Sequence, residues 1–471
     1  MITKTDYLAF LTAPKHLWAL KHDRIEIPPS PYEIHTMQQG QLVEALARDF
    51  LREHVLTGHE VELAFQETFR DGSFQARVDI LARSPEKGKV DIYEVKSGTS
   101  IKKEDRFDIA FQRLICEASG TVENVYLVHL NKDYLREGDV ALDKLFMVEN
   151  LNEKTDKLRE QVLESRQQAL DAASADDPEN ILSCHKLNEC PCPSLCHGEL
   201  PEYPIFDIPR LHKNKAINLK NSGILSIHDL PEPFPLTDRQ RPHVEAIRVG
   251  TPLIREEQIS AELQLLEYPL SFLDYETFNP AVPLYNGYRP YEHIVFQYSL
   301  HVREHPESEL EHVEYLHLDN VDPGPLFLEH LKRYLPGEGS ILVWNQSFEM
   351  GKNREMAERY PNFRCFLEEL NDRIFDLMTI FSKGFFIHPD FHGSSSIKNV
   401  LPVLCPELDR GYTGLGISSG EEAMLAWHEV ISGEVQEEAV DEVWRDLLAY
   451  CELDTLAMER ILAVVRSEVD I

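Results

Sequence analysis

The stretch Phe272-Leu273-Asp274-Tyr275-Glu276-Thr277 reads as the end of a buried strand carrying two acids two residues apart. On a strand, residues i and i+2 point to one face, so the carboxylates of Asp274 and Glu276 converge. Far downstream, Tyr450-Cys451-Glu452-Leu453-Asp454 sits in a helical run from Val443 to Val465, and a spacing of four puts Tyr450 and Asp454 on one helix face. Between these pairs, Ile341-Leu342-Val343-Trp344-Asn345-Gln346-Ser347-Phe348-Glu349 is predicted as a strand running into a helix with another acid at its tip. Clustered carboxylates repel unless something cationic holds them. A pair of Mg²⁺ or Mn²⁺ ions, which prefer oxygen ligands and support in-line phosphoryl displacement, meets that need. The residues therefore predict metal-assisted hydrolysis of phosphodiesters.

These motifs resemble those of the DnaQ-like DEDD 3′–5′ exonucleases, which carry an RNase H-like fold. Asp274-x-Glu276 is similar to the first motif, Asn345-x-x-Phe348-Glu349 to the second, and Tyr450-x-x-x-Asp454 to the third in its tyrosine variant. The resemblance covers residues 265–471 and implies roles. Asp274 would bridge two ions, with Glu276 and Asp454 completing the site of one and Glu349 holding the other. Tyr450 would orient the attacking water. The second motif ordinarily ends in aspartate, and here the longer Glu349 takes its place. Asp376, in Arg373-Ile374-Phe375-Asp376, is a spare acid that the resemblance puts at the start of a later helix, in a structural role.

Composition constrains the reading further. A chain of 471 residues has room for two or three domains, and 42% hydrophobic residues is ordinary for globular proteins. No apolar run approaches a membrane span, and the first residues lack the pattern of a signal peptide, so the expected location is cytoplasmic. The net charge of −34 weighs against a simple high-affinity DNA binder, because non-specific affinity comes from Lys and Arg on phosphates. From Leu401 to Ile471 there is no lysine. A local basic channel, weak binding or a protein partner that delivers substrate would each reconcile the charge with a nuclease.

The N-terminal half carries a second constellation. Ser73 to Ala82 and Val90 to Ser97 are predicted strands joined by a turn at Lys87-Gly88-Lys89, an arrangement that brings Asp79 near Glu94. Glu94 and Lys96 alternate onto one face, so an acid pair and a cation converge. Carboxylates can hold a metal there while the amine stabilises charge or activates water. With the helical stretch Arg106 to Ile115 and its Gln112, these residues resemble the PD-(D/E)XK nucleases of the RecB-like branch, which includes the CRISPR-adaptation nucleases. In that family the Asp, the Glu-x-Lys and a downstream Gln form the site. Gln39-Gly40-Gln41-Leu42-Val43-Glu44 is similar to the branch's first helix, where relatives place a His or another acid at the position of Glu44. The resemblance covers residues 1–200.

Four of the eight cysteines crowd into Cys184-His185-Lys186-Leu187-Asn188-Glu189-Cys190-Pro191-Cys192-Pro193-Ser194-Leu195-Cys196. Without a secretory signal, metal binding is favoured over disulfides. The resembling nucleases hold a [4Fe-4S] cluster with one cysteine near the N-terminus and three after the nuclease core. Cys184, Cys190 and Cys196 match the trailing three, but Ala13 stands where the first is expected. Three explanations are open: Cys192 is the fourth ligand, a histidine such as His185 or His197 makes the site zinc-like, or the cluster is lost. Cys116, Cys365, Cys405 and Cys451 read as core residues.

The expected architecture is α/β. It has a RecB-like nuclease with its cysteines over 1–200, a Pro-rich linker over 201–260 and a DEDDy exonuclease over 261–471. Within the linker, Ile208 to Leu230 is predicted as two short helices, similar to a helix-hairpin-helix, with Lys213, Lys215 and Lys220 available to phosphates. The whole arrangement resembles a bacterial family that joins these two nucleases. Phe278 to Tyr285 and Tyr291 to His301 are expected beside the exonuclease groove, with Phe296 or Tyr298 able to stack on a base. The Ser-rich helix start before Lys398 is an expected anion site. The function expected is DNA hydrolysis with divalent metals at both sites, on single strands or 3′ ends. The alternatives are an RNA exonuclease, or a nucleic-acid-binding or assembly protein with partly decayed sites.

Overall fold

The computed structural model describes residues 1–57, 61–84, 88–408 and 415–469. Lys87 of the predicted turn lies outside the described residues. The chain divides into two compact units, Met1–Glu199 with Asn279–Glu292, and Leu200–Phe278 with His293–Ile471. Both are mixed α/β. No described helix is long and apolar enough to cross a membrane.

The first unit is built on a five-stranded sheet ordered β1-β2-β3-β4-β5: β1 (Glu62–Asp71), β2 (Phe74–Ser84), β3 (Lys89–Lys96), β4 (Thr121–Leu130) and β5 (Phe146–Asn150). Strands β3 and β4 run parallel, and the other neighbours are antiparallel. The parallel pair needs a crossover, which is helix α4 (Lys103–Glu117), preceded in the chain by α1 (Lys4–Thr12), α2 (Pro14–Lys21) and α3 (Pro31–Phe50). Alternation along the strands sorts the core into two layers. Ile80, Ala82, Tyr93 and Val128 pack with Val43, Ala47 and Phe50 of α3, whereas Leu81, Ile92, Val125 and Leu127 pack with Ile109 of α4. Asp79, Glu94 and Lys96 share the parity of Leu81 and Ile92, so they face α4. The polar helix α5 (Asn152–Ser174) lays Val162 and Ala169 against Tyr7, Phe10 and Phe111.

Asn279–Glu292 belongs to this unit as well. Ala281 and Val282 join the cluster around Val43 and Phe50. Arg136 donates to the carbonyls of Pro283 and Leu284 at 2.7 and 2.8 Å, and the Gly138 amide donates to Asn286 Oδ1 at 2.8 Å. The segment expected beside the exonuclease groove is thus held in the first unit by apolar burial and by a guanidinium that satisfies two carbonyls.

The second unit contains a small antiparallel pair, β6 (Leu253–Ile254) with β12 (Phe386–Ile387), and a five-stranded sheet ordered β11-β10-β7-β8-β9. The sheet comprises β7 (Leu270–Phe278), β8 (Ile294–Arg303), β9 (Leu310–Leu316), β10 (Ser340–Val343) and β11 (Ile374–Asp376). Strands β7, β8 and β9 form an antiparallel meander, to which β10 and β11 add in parallel. Leu270 and Phe272 project to one face, where Ala457, Met458, Ile461 and Val465 of the last helix cover them. Leu273 and Tyr275 project to the other, against Phe327, Leu328 and Met356. Asp274 and Glu276 follow Leu270 and Phe272 in parity, so their carboxylates sit on the face crossed by that last helix.

Residues 205–247 gather an apolar cluster of Ile205, Ile208, Leu219, Ile227, Leu230, Val244 and Ile247. The two predicted helices within it become one α-helix, Lys213–Asn221, and a 3₁₀ turn at Ile227–Asp229. Gly223 at φ 76° ends the helix and leaves too few residues for a second one before Pro231. Phe296 and Tyr298 are fully buried. Phe296 stacks on Trp427 with centroids 4.5 Å apart, and Tyr298 meets Phe327 edge-on, so neither is available to a base. Every position of β8 from Ile294 to Val302 is buried, because helices cover both faces of the strand.

Candidate active sites

The carboxylates of the second unit meet where β10 ends. Leu342 pairs with Phe272, so Asp274 lies just beyond the last β10 pairing, while β7 continues alone beside β8 to Glu276. Past β10 the chain turns at Asn345 into α7 (Gln346–Arg359), whose first turn carries Glu349, 3% exposed. The last helix, α8 (Glu437–Ser467), supplies Tyr450 and Asp454. A Cβ on Gly420 would lie 3.5 Å from Glu276 Oε2 and 3.9 Å from the Tyr450 hydroxyl, so these two groups approach the same point and a side chain at 420 would crowd both. Ligand atoms of Asp274, Glu276 and Cys451 lie within 4.8 Å of one another.

Electrostatics mark this cluster as under-compensated. At an effective dielectric of ~20, two carboxylates about 4–5 Å apart repel by about 3–4 kcal/mol. Burial, then Asp454, Glu276 and Glu349, hold Asp274 well above the carboxylate range. Burial and Asp454 raise Glu276 from 4.5 to about 8, against a smaller downward pull from Lys398. Burial and Asp376 raise Glu349 to about 8. Glu349 Oε2 has no hydrogen-bond donor among the described residues. An acidic oxygen set with an orphaned buried oxygen suits a hard divalent cation.

Asp376 is the last residue of β11 and not the first of a helix, because parallel pairing of Val343 with Asp376 extends the strand through it. Burial raises it to about 6. Lys398 lies in the first turn of the helix Ile397–Leu404, whose N-cap is Ser396. Cys451 is buried as expected but stands 3.9 Å from Asp274 Oδ2, so it is part of the cluster. Cys365 is exposed, contrary to expectation, because it sits on the outer face of the helix Arg364–Asp372.

These raised values set a pH dependence. Glu276 and Glu349 ionise at a lower pH in the unfolded chain, near 4.5, than in the fold, near 8. Unfolding therefore releases protons between those values, and stability falls as pH rises through the window. Without divalent metal, the melting temperature should decline from pH 4.5 to 8. Mg²⁺ or Mn²⁺ should flatten that decline; a flat metal-free profile would contradict the cluster's electrostatics, and a decline unchanged by metal would contradict metal binding there.

The first unit brings together Asp79 (β2), Glu94 and Lys96 (β3) and Gln112 (α4). Pairing of Ile80 with Tyr93 sets Asp79 opposite Glu94, and Asp79 Oδ2 accepts from the Val95 amide at 3.0 Å. Gln112 Nε2 donates to Glu94 Oε2 at 2.7 Å and to Asp108 Oδ1 at 3.0 Å, while its own Oε1 has no donor among the described residues. Lys96 donates to Glu94 at 2.9 Å and also to Asp108. Glu44 accepts from Gln66 at 2.6 Å, and Gln66 also reaches Asp79, so Glu44 borders the site.

Two further members, Lys4 and Asp108, are absent from the sequence-based set. Lys4 Nζ lies 2.6 Å from Glu94, 3.9 Å from Asp108 and 4.0 Å from Asp79. Asp108 carries a readable signal, since it sits one helical turn before Gln112. Lys4 carries none, because nothing local ties residue 4 to residue 94. Burial alone would raise Glu94, but Lys4 and Lys96 outweigh it and hold its carboxyl far below the usual range. Burial and then Glu94 push Asp79 up to about 8. This site carries its own counter-ions. Lys4→Ala should therefore destabilise the metal-free unit by about 3 kcal/mol, the lower end of the range for removing one partner of a buried pair, since Lys4 keeps a quarter of its side chain exposed. Mn²⁺ should recover more of that loss than it adds to the wild type; equal metal-induced shifts in melting temperature would refute the idea that both cations serve the same carboxylates.

The cysteines converge with a partner from the N-terminus. Cys184, Cys190, Cys192 and Cys196, on and before the short helix α6 (Pro193–His197), are all buried and pack with Ala13 and Ala19. Ligand atoms of His16, Cys190, Cys192 and Cys196 lie within 4.8 Å of one another, as do those of Cys184, Cys190 and His197. The group can bind a metal. Hydrogen bonds from the Cys184 and Cys192 thiols, with burial opposing, hold the Cys196 thiol down.

Residues 271–396 match a family model described as a domain of unknown function, DUF2779. That span includes Asp274, Glu276, Glu349 and Asp376 but not Tyr450 or Asp454. An uncharacterized protein of Mycoplasma genitalium, MG366, is 27% identical over 214 residues, which is 41% of this chain and 32% of that protein. An uncharacterized protein of Ureaplasma parvum, UU173, is 22% identical over 218 residues, 42% of this chain and 31% of that protein. The chain thus spans about a third of the length of the curated relatives it matches. A solved structure titled "Crystal structure of SSO0001" covers 42% of this chain and 87% of its own, at 13% identity and a TM-score of 0.26.

Proposed function

We propose that the chain is a divalent-metal-dependent nuclease whose second unit is a 3′–5′ exonuclease of the DEDDy, RNase H-like kind. The observation that carries this reading is the convergence of Asp274, Glu276, Glu349 and Asp454 beside Tyr450, with Asp274, Glu276 and Glu349 held above the normal carboxylate range. Asp274, Glu276 and Asp454 would hold one ion, and Asp274 with Glu349 another. Such ions supply Lewis-acid stabilisation of the transferring phosphoryl group and an acidified water. Tyr450 contributes a hydroxyl beside Glu276 that positions the nucleophilic water by hydrogen bonding, and Lys398 offers a cation to a phosphate near Glu276. In the first unit, Asp79, Glu94, Lys96 and Gln112 on a mixed sheet support a RecB-like PD-(D/E)XK site, with a second nuclease activity. There Lys96 donates to the scissile phosphate or its water, and Gln112 orients Glu94.

The test is release of nucleotides by purified protein from 3′- and 5′-end-labelled single- and double-stranded DNA and RNA, with Mg²⁺, Mn²⁺ or chelator. Metal-dependent loss of the 3′ label from DNA is expected. Faster degradation of RNA would move the substrate class, and the net charge of −34 makes single strands more favourable than duplex, with its denser phosphates. Intact substrates in both metals would leave a nucleic-acid-binding or assembly role.

A further inference from the structure

We infer that the cysteine cluster of the first unit is a mononuclear zinc site with ligands His16, Cys190, Cys192 and Cys196, in place of the [4Fe-4S] cluster that the family resemblance implies. Tetrahedral zinc with Zn–S of ~2.3 Å and Zn–N of ~2.0–2.1 Å sets its donor atoms ~3.8 Å apart for S···S and ~3.5 Å for S···N. Cys192 Sγ and Cys196 Sγ stand 3.8 Å apart, and Cys190 Sγ stands 3.6 Å from His16 Nε2. All four donor atoms lie within 4.8 Å of one another. A cubane binds each thiolate through a different iron, which spreads the sulfurs farther than donors sharing one ion.

The N-terminal donor points the same way. Ala13 is 2% exposed and its methyl packs among the cysteines, so the position expected to provide a thiolate provides an apolar wall. One helical turn on, His16 is 4% exposed and brings an imidazole to the same place. A thiolate-rich set with one imidazole, in tetrahedral spacing, is zinc chemistry. Cys184 belongs to a second, overlapping group, with Sγ 3.2 Å from His197 Nε2 and within 4.8 Å of the Cys190 thiol, and the four-donor group that contains His16 does not include it.

The ion ties two distant stretches of sequence. The same junction carries the Lys15 amide to Leu182 carbonyl bond at 3.1 Å and the Glu26 amide to Pro191 carbonyl bond at 2.9 Å. Helix α2 is thereby clamped to the segment 182–196, and α1, which delivers Lys4 to Glu94, precedes α2 directly. The site is structural, and its loss should be felt as unfolding of this unit.

Elemental analysis and melting of the full chain, with no nucleic acid present, test this independently of any nuclease reading. Protein prepared anaerobically should be colourless with about one zinc and no iron per chain. His16→Ala should lose the zinc and lower the melting temperature of the first unit by on the order of 10 °C, the scale for several kcal/mol in a domain of this size. His16→Cys should retain the metal, and its cobalt-substituted form should show stronger thiolate-to-metal charge transfer than the wild type. Cys184→Ser should keep its zinc. Brown protein with about four irons, zinc retained in His16→Ala, zinc lost from Cys184→Ser, or neither metal in fresh protein would each overturn the assignment.

Discussion

Asp274→Asn should lower 3′–5′ degradation of a labelled strand by at least ~100-fold, since even outer-shell changes at metal sites cost 10–100-fold. The same substitution should make the metal-free protein more stable near pH 8. Asp274 sits among Glu276, Glu349 and Asp454, and the amide removes a charge that the fold tolerates only at a cost. Activity and stability should therefore move in opposite directions, which a misfolded variant cannot imitate. Glu276→Gln and Asp454→Asn should give similar losses, and the double variants should lose little more, because the groups act as one unit. Wild-type digestion by Asp274→Asn in a Lys96→Ala background would defeat the exonuclease assignment. Glu349→Asp is a gentler probe: it restores the usual ligand length and should leave activity within a few-fold of wild type or raise it.

Circular single-stranded DNA isolates the first unit, because a circle gives an exonuclease no end. In Mn²⁺, linearisation should survive Asp274→Asn and fall by at least ~100-fold in Glu94→Gln and Asp79→Asn, by the same metal-site reasoning. The neutral amide in Glu94→Gln also leaves Lys96 with Asp108, and Lys4 with the more distant Asp108 and Asp79, so melting must be measured alongside to separate lost chemistry from lost fold. Cleavage of circles at the wild-type rate by Glu94→Gln would place that activity elsewhere. Intact circles with every form of the protein would mean that this carboxylate set no longer cuts.

The carboxylate placements were legible because they rest on local periodicity. Asp274 and Glu276 share a face by strand alternation, and Tyr450 and Asp454 by helical spacing, before any tertiary contact is known. Asp79 opposite Glu94 followed from two strands and a short turn. What escaped were partners fixed by long-range packing. Lys4 reaches Glu94 across ninety residues and His16 reaches Cys190 across 174, with no repeating pattern to announce either. The aromatic residues Phe296 and Tyr298 misled for the opposite reason. Their strand is covered on both faces, so aromatics expected beside an open groove are enclosed in the core instead. The segment 201–260 hid its packing in scattered single apolar residues, Ile205 to Ile247, which lack a helical or strand period but still close into one cluster.

The excursion of Asn279–Glu292 has a practical corollary for anyone dissecting this gene. A fragment stopping at residue 199 would omit Ala281 and Val282 from beside Val43 and Phe50, and would leave the Arg136 guanidinium without the carbonyls of Pro283 and Leu284. The missing piece is encoded within the other half, between β7 and β8. A stop codon therefore cannot separate the two units cleanly, and the shorter product should be sticky and prone to clump. Grafting the stretch Asn279–Glu292 onto it, or supplying that stretch as a synthetic peptide, is the route to a well-behaved half-protein.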